Sequence, residues 1–222
     1  MSKLTISAIP LLFLLLLFNV KQTSAQGMSA YFGLGSATNS AATSAGCAAH
    51  FILDELQPTP ACEPAPTMGG VFGVIGADFM ITPHLGVNGE DTFRFAQASY
   101  LPAVGINARP TFYDFNLVYQ PISGGKHIVP VLEGGLGGSK VSLYFTQQTC
   151  AIISVCSTQS GFFASANHFQ LHGAFGVKLY VTSNIFIKPQ VDAHWVRNMN
   201  QQYGRNLVPQ FTISLGYTFG ER

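Results

Sequence analysis

From Pro209 to Phe219 apolar residues alternate with polar or small ones without interruption. Pro209, Phe211, Ile213, Leu215, Tyr217 and Phe219 fall on one face of an extended chain, and Val208, Gln210, Thr212, Ser214, Gly216 and Thr218 on the other. Successive side chains of a strand point to opposite faces, so the segment predicts a strand with one apolar face and one face of small polar groups. The pattern recurs upstream. Ile185, Ile187, Val191, Ala193 and Trp195 oppose Lys188, Gln190, Asp192 and His194. Phe169, Leu171, Phe175, Val177, Leu179 and Val181 oppose Gln170, His172, Ala174, Gly176, Lys178 and Tyr180, and Tyr113, Phe115, Leu117 and Tyr119 oppose Asp114, Asn116 and Gln120. Four segments are less regular. In 128–145 Leu132 and Leu136 oppose Glu133, and a slip of phase near Gly137-Gly138 points to a β-bulge. In 84–96 Asn88, Glu90, Thr92 and Arg94 share a face, with Asp91 on the apolar side; 67–79 is Gly-rich and ambiguous, and 28–36 is short. Eight strands are expected.

The connections alternate in length. Short turns fall at Ile81-Thr82-Pro83, Ile122-Ser123-Gly124-Gly125 and Thr182-Ser183-Asn184, and long Ser/Thr/Asn/Gln-rich loops at 37–66, 97–108, 146–160 and 198–206. Tight periplasmic turns and longer extracellular loops characterise a transmembrane β-barrel. After residue 26, Gly, Pro and Thr interrupt every apolar stretch, and none approaches the roughly 18 residues of a spanning helix. In hydrocarbon each unpaired backbone group costs several kcal/mol, so a chain without such helices spans only as a closed barrel. Eight strands enclose an interior about wide enough for side chains to fill. A soluble sandwich or lipocalin-like barrel alternates too, but it turns its apolar face inward and needs charge outside.

Composition sharpens the choice. Charged residues make up 9 % of the 222 and aromatic residues 12 %, against about 25 % charge in a soluble domain. A disordered chain needs low hydrophobicity and high net charge, and a nucleic-acid binder a basic surface; a formal charge of +1 fits neither. Residues 1–25 read as a secretory signal peptide: Lys3, an apolar run from Leu4 to Phe18, and a polar exit closing on Thr23-Ser24-Ala25. Cleavage after Ala25 leaves a barrel domain at 26–222, and the loss of Lys3 and Lys21 turns the formal charge to −1. The competing reading, an anchoring helix, needs about 20 apolar residues. Cysteines come as two close pairs, Cys47 with Cys62 and Cys150 with Cys156, each inside one long loop. In an exported chain an even count suggests disulfides, with local pairing the simplest connectivity; zinc is the alternative, and no CxxC supports it.

The terminal QFTISLGYTF and the phrases FMITPHLGVNGE and LYVTSNIFIKPQVDAHW resemble the small outer-membrane β-barrel proteins of the OmpA/OmpX-like superfamily. The resemblance covers 27–219. It implies an eight-stranded antiparallel up-and-down barrel in a bacterial outer membrane, surrounded by lipid and lipopolysaccharide, with no cofactor and no nucleic-acid partner. It also implies insertion by the outer-membrane assembly machinery, with Gly216, Tyr217 and Phe219 as the insertion signal. One departure is that Gly220-Glu221-Arg222 follow the last aromatic residue. No peptidoglycan-binding domain is expected. Trp195, Tyr113, Tyr119, Tyr217 and Phe219 are candidates for interfacial aromatic girdles.

The polar faces bring Glu90, Arg94, Asp114, Glu133, Lys178, Lys188 and Asp192 to the interior, with His172 and His194 nearby. Unpaired charge in a narrow lumen is costly, so these groups are expected to pair. One reading is a structural network that closes the barrel; another is a gate that opens when pairs exchange. Lipid A deacylation needs a Ser/His pair on one strand face, but Ser165 and His168 differ by three positions and point to opposite faces. The non-enzymatic reading is a structural or adhesin-like barrel that engages an extracellular ligand through the Pro-rich loop 37–66 and loop 146–160. The alternative is a channel for small or hydrophobic solutes through a lateral opening, for which Pro189 offers a weak seam.

Overall fold

The computed structural model describes residues 27–38, 68–101, 105–122, 127–150, 156–197 and 206–220. The expected signal peptide and most of loop 37–66 lie outside these residues. Cys47 and Cys62 lie in that part of the loop. Among the described residues the chain forms nine strands: β1 (Met28–Ala37), β2 (Phe72–Met80), β3 (Leu85–Arg94), β4 (Ala98–Leu101), β5 (Ile106–Tyr119), β6 (Ile128–Cys150), β7 (Cys156–Tyr180), β8 (Ile185–Val196) and β9 (Leu207–Phe219). All pair antiparallel; β3 pairs with β5 and β1 with β9, which closes eight strands into a ring, while β4 pairs with β5 alone. Gly27 and Gly220 leave the ring at the end that carries the short turns.

The register fixes the stagger. Paired residues lead from Met28 through Phe79, Val87, Leu117, Gly134, Gly173, Ala193 and Pro209. The circuit returns to β1 at Thr38, whose N–H donates to the Pro209 carbonyl at 2.9 Å. The ring therefore closes ten residues further along the strand, and such a shear tilts the strands against the barrel axis.

Each face goes where its chemistry is satisfied. Phe115 and Leu117 are 67 % and 69 % exposed on the outside, whereas Lys178 and Lys188 are 1 % exposed on the inside. A soluble barrel has the opposite polarity, so the outer surface is one that only hydrocarbon covers at low cost. Tyr119, Tyr217 and Phe219 point outward at the end with the short turns, the last two rings packed edge to face at 4.9 Å. Tyr113 and Trp195 point outward nearer the opposite end. Two inward positions need glycine for close approach: the Tyr31 ring occupies the space of a side chain at Gly76, and the Phe186 ring that of a side chain at Gly216.

Three expectations require correction. No bulge occurs at Gly137-Gly138: the β5–β6 and β6–β7 registers run straight through, and the irregularity lies instead at Leu143/Tyr144, where β7 carries Phe163 as an extra residue. Two adjacent glycines offer no alternation to read, so the sequence showed a slip where the backbone has none. Residues 146–160 are not simply a loop, because β6 continues to Cys150 and β7 begins at Cys156 as a ribbon. Similarly, 97–108 contains β4 and the start of β5. A ribbon standing in water has no face to bury, so its strands carry no apolar alternation.

Candidate functional site

Alternation on eight strands sends a layered set of polar side chains into the lumen. At the end with the short turns, Tyr180 and Ser29 both bond Thr218, at 2.9 and 3.0 Å, and Lys178 pairs with Asp78 at 2.7 Å. In the next layer Lys188 pairs with Glu133 at 2.6 Å and sits 4.2 Å over the Tyr31 ring. Tyr31 donates to Glu90 at 2.7 Å and accepts from Asn88, which also donates to Asp78 at 2.7 Å. Above these, Gln190 bridges Glu90 and Asp192, and His172 lies between Asp192 at 3.3 Å and Asn116 at 2.9 Å. Gln170 then donates to Asp114 at 2.7 Å, and His194 contacts Asp114, Gln170 and Gln210. The lysines, acids and histidines of these layers are all buried.

Apolar groups stop both ends of this column. Phe112 stacks on His194 at 4.5 Å and Phe72 on Phe112, within a cluster that includes Ala37, Met68, Ala108, Val141, Val196 and Val208. At the opposite end Met80, Val118 and Val131 pack together. Water filling the interior would leave these polar side chains accessible, and they are not; the lumen is packed with protein atoms along this column.

Six of the seven interior residues expected from the sequence enter these layers. The seventh, Arg94, stands at the far end of β3, two inward positions beyond Glu90, with its guanidinium in the space a Gly70 side chain would need. Asp78 and Tyr31 were not anticipated. On β2 the inward face reads Phe72, Val74, Gly76, Asp78 and Met80 and the outward face Gly73, Ile75, Ala77 and Phe79, so both are apolar apart from one acid. The only available signal was the cost of placing Asp78 in lipid.

Asp114, His172 and His194 offer ligand atoms within 4.8 Å of one another, a separation that invites a metal. The donor set does not converge. The two imidazoles stack at 4.7 Å and 24°, so their in-plane lone pairs run side by side, and all four ring nitrogens already face hydrogen-bond partners. Ser165 and His168 lie on opposite faces of β7, since their partners Ser142 and Ser139 are three apart in an unbroken stretch of β6. Of the four disulfide candidates, Cys150 and Cys156 are register partners across the β6–β7 ribbon. Cys47 and Cys62 fall outside the described residues, so their expected pairing has no counterpart in the described fold.

A closed eight-stranded ring, lipid-compatible outside and polar inside, defines an integral outer-membrane β-barrel protein. Solved structures share the architecture. OprG of Pseudomonas aeruginosa aligns at TM-score 0.52 and 10 % identity over 89 % of this chain and 97 % of its own. A major outer membrane protein of Thermus thermophilus aligns at 0.51 and 12 %, over 88 % and 100 %. The Yersinia pestis attachment invasion locus protein Ail, crystallised with the heparin analogue sucrose octasulfate, gives 0.48 and 14 %, over 88 % and 99 %. No family model matches the chain, and no curated protein matches its sequence. The likeness is one of fold, that of the small outer-membrane barrels.

Proposed function

We propose that this barrel is a non-enzymatic surface-interaction protein whose binding element is the β6–β7 ribbon. The observation that carries the reading is the length of these strands: β6 has 23 residues and β7 has 25, while the other barrel strands have 9 to 14. β8 takes up pairing with β7 only from Gln170, with Arg197 N–H reaching the Phe169 carbonyl. Among the described residues nothing pairs with the other edge of β7 from Cys156 to His168. A free edge of that length presents unpaired backbone donors and acceptors to an extended segment of a partner, the chemistry of strand addition. In this reading Cys150 and Cys156 join as a disulfide that staples the ribbon tip, and a second disulfide, Cys47 to Cys62, stiffens the Pro-rich loop 37–66. The packed lumen disfavours the solute-channel alternative.

Two features concern assembly. Residues 1–25 are a signal peptide, and Gly216, Tyr217 and Phe219 engage the assembly machinery through the last strand. The lumen network acts as a structural closure.

The test shortens the ribbon at a register pair. Ser142 and Ser165 are partners, so replacing 143–164 by Asn-Gly yields a two-residue hairpin that removes the free edge from Cys156 to Ala164 and keeps the β6–β7 pairs of the ring. Cells carrying the full-length protein are expected to bind immobilised extended peptides, the chemistry of strand addition, and cells with the shortened protein to lose that binding while keeping the heat-modifiable gel mobility of a folded barrel. Equal binding by both overturns the proposal.

A further inference from the structure

The outer wall carries a polar patch that neither the lumen nor the ribbon edge accounts for. Arg109, Ser142 and Ser165 are register partners across β5, β6 and β7, and Thr111, Lys140 and Asn167 are the next outward row. All six side chains point away from the lumen, because the residues between them, Ala108, Pro110, Val141 and Ala166, belong to the inward series, and Ala108 and Val141 pack in the lumen's apolar plug. Ser142, in the middle of its row, is buried, so the floor of the patch is polar as well as its rim. Rows two residues apart on strands about 4.8 Å apart give a grid of roughly 10 by 7 Å. Arg109 lies 5.3 Å from the Tyr144 ring centroid, and neither it nor Lys140 has an acid within ion-pair distance among the described residues.

The patch is not merely the place where the wall leaves the membrane. Below it the row Tyr113, Gly138 and Phe169 begins the apolar belt. Above it apolar surface returns: Tyr144 and Phe162 pack edge to face at 5.9 Å, and the bulge adds Phe163, with Phe162 61 % and Phe163 57 % exposed. Two cations and four hydroxyl or amide groups are thus held between aromatic rows.

We infer that this grid is a binding site for an outer-leaflet lipid whose headgroup carries phosphate on a sugar. Arg109 and Lys140 supply charge-assisted donors to the phosphate, and Thr111, Ser165 and Asn167 hydrogen-bond the sugar hydroxyls. The acyl chains run down the apolar belt, where the Tyr113 ring covers Gly138 and Gly134 keeps the β6 surface low. The inference depends on the outer-membrane location and is independent of the ribbon's role.

Native mass spectrometry of the refolded full chain, released from detergent micelles, tests it with defined probes. Bisphosphorylated lipid A is expected to be retained about tenfold more than its dephosphorylated form. Arg109→Gln/Lys140→Gln is expected to lose that preference, while Arg197→Gln, which removes an exposed cation in the turn after β8, keeps it. Equal retention of the two lipid forms overturns the proposal without any variant being needed. So does an unchanged preference in the double variant, and so does displacement of lipid A by an equal concentration of soluble inositol hexakisphosphate, which marks a site for free polyanions.

Discussion

A single change at Lys188 leaves a buried charge of the lumen without its partner. Its ammonium is 1 % exposed, pairs with Glu133 at 2.6 Å and rests on the Tyr31 ring at 4.2 Å. Lys188→Met keeps the stem's volume and removes the charge, leaving Glu133 in a dry interior without its cation. Breaking a buried pair from one side costs about 3–5 kcal/mol, whereas replacing both members with apolar groups is often near neutral. The single variant should therefore lose about 3–5 kcal/mol, and Lys188→Met/Glu133→Leu should recover most of it, a coupling of about 3 kcal/mol in a double-mutant cycle. The assay is reversible urea unfolding in lipid vesicles, followed by the fluorescence of Trp195, the chain's one tryptophan, which faces lipid. A single-variant loss below about 1 kcal/mol, the size typical of solvated pairs, would refute a dry, tightly packed lumen. A double variant no better than the single one would refute the pairing.

Three further outcomes follow from particular contacts. Gly76→Val drives a side chain into the Tyr31 ring and should destabilise by about 1–3 kcal/mol, read as a lowered temperature for conversion from the compact to the extended gel form. The β7–β8 pairing steps from Gly176–Gln190 to Leu179–Ile187 across Pro189, which lacks an N–H, so Pro189→Val should raise the urea midpoint by the equivalent of about 1 kcal/mol. Alkylation of the unreduced protein followed by peptide mass mapping should leave Cys150 and Cys156 unlabelled until a reductant is added; labelling of both without reductant shows the ribbon tip to be unstapled.

How much of this was legible in the sequence depended on contrast between the two faces of each strand. β5, β7, β8 and β9 alternate apolar groups with charged, amide or hydroxyl groups, and their inward residues were read correctly down to His194 and Gln190. β2 lacks contrast, so Asp78, the partner of Lys178, escaped notice. Tyr31 was missed because phenol is amphipathic: its ring suits lipid, and only the partner glycine at 76 and the acid at 90 show that it turns inward. The ribbon was invisible for a different reason. Amphipathic alternation arises where one face meets lipid, and strands held by backbone pairing above the membrane, such as 156–160, read as Ser/Thr/Gln loop. The outward patch needed the register, since Arg109, Lys140 and Asn167 come from three separate segments.

A barrel that is filled and acts through its outer surfaces should not conduct. Single-channel recording in planar bilayers tests this most directly. Reconstituted wild-type protein should leave the current at baseline, with no discrete steps at either polarity, because the Lys178–Asp78 and Lys188–Glu133 layers and the Phe72–Phe112 plug occupy the path. Reproducible unitary steps, abolished when the protein is heat-unfolded before reconstitution, would contradict it and restore the channel reading.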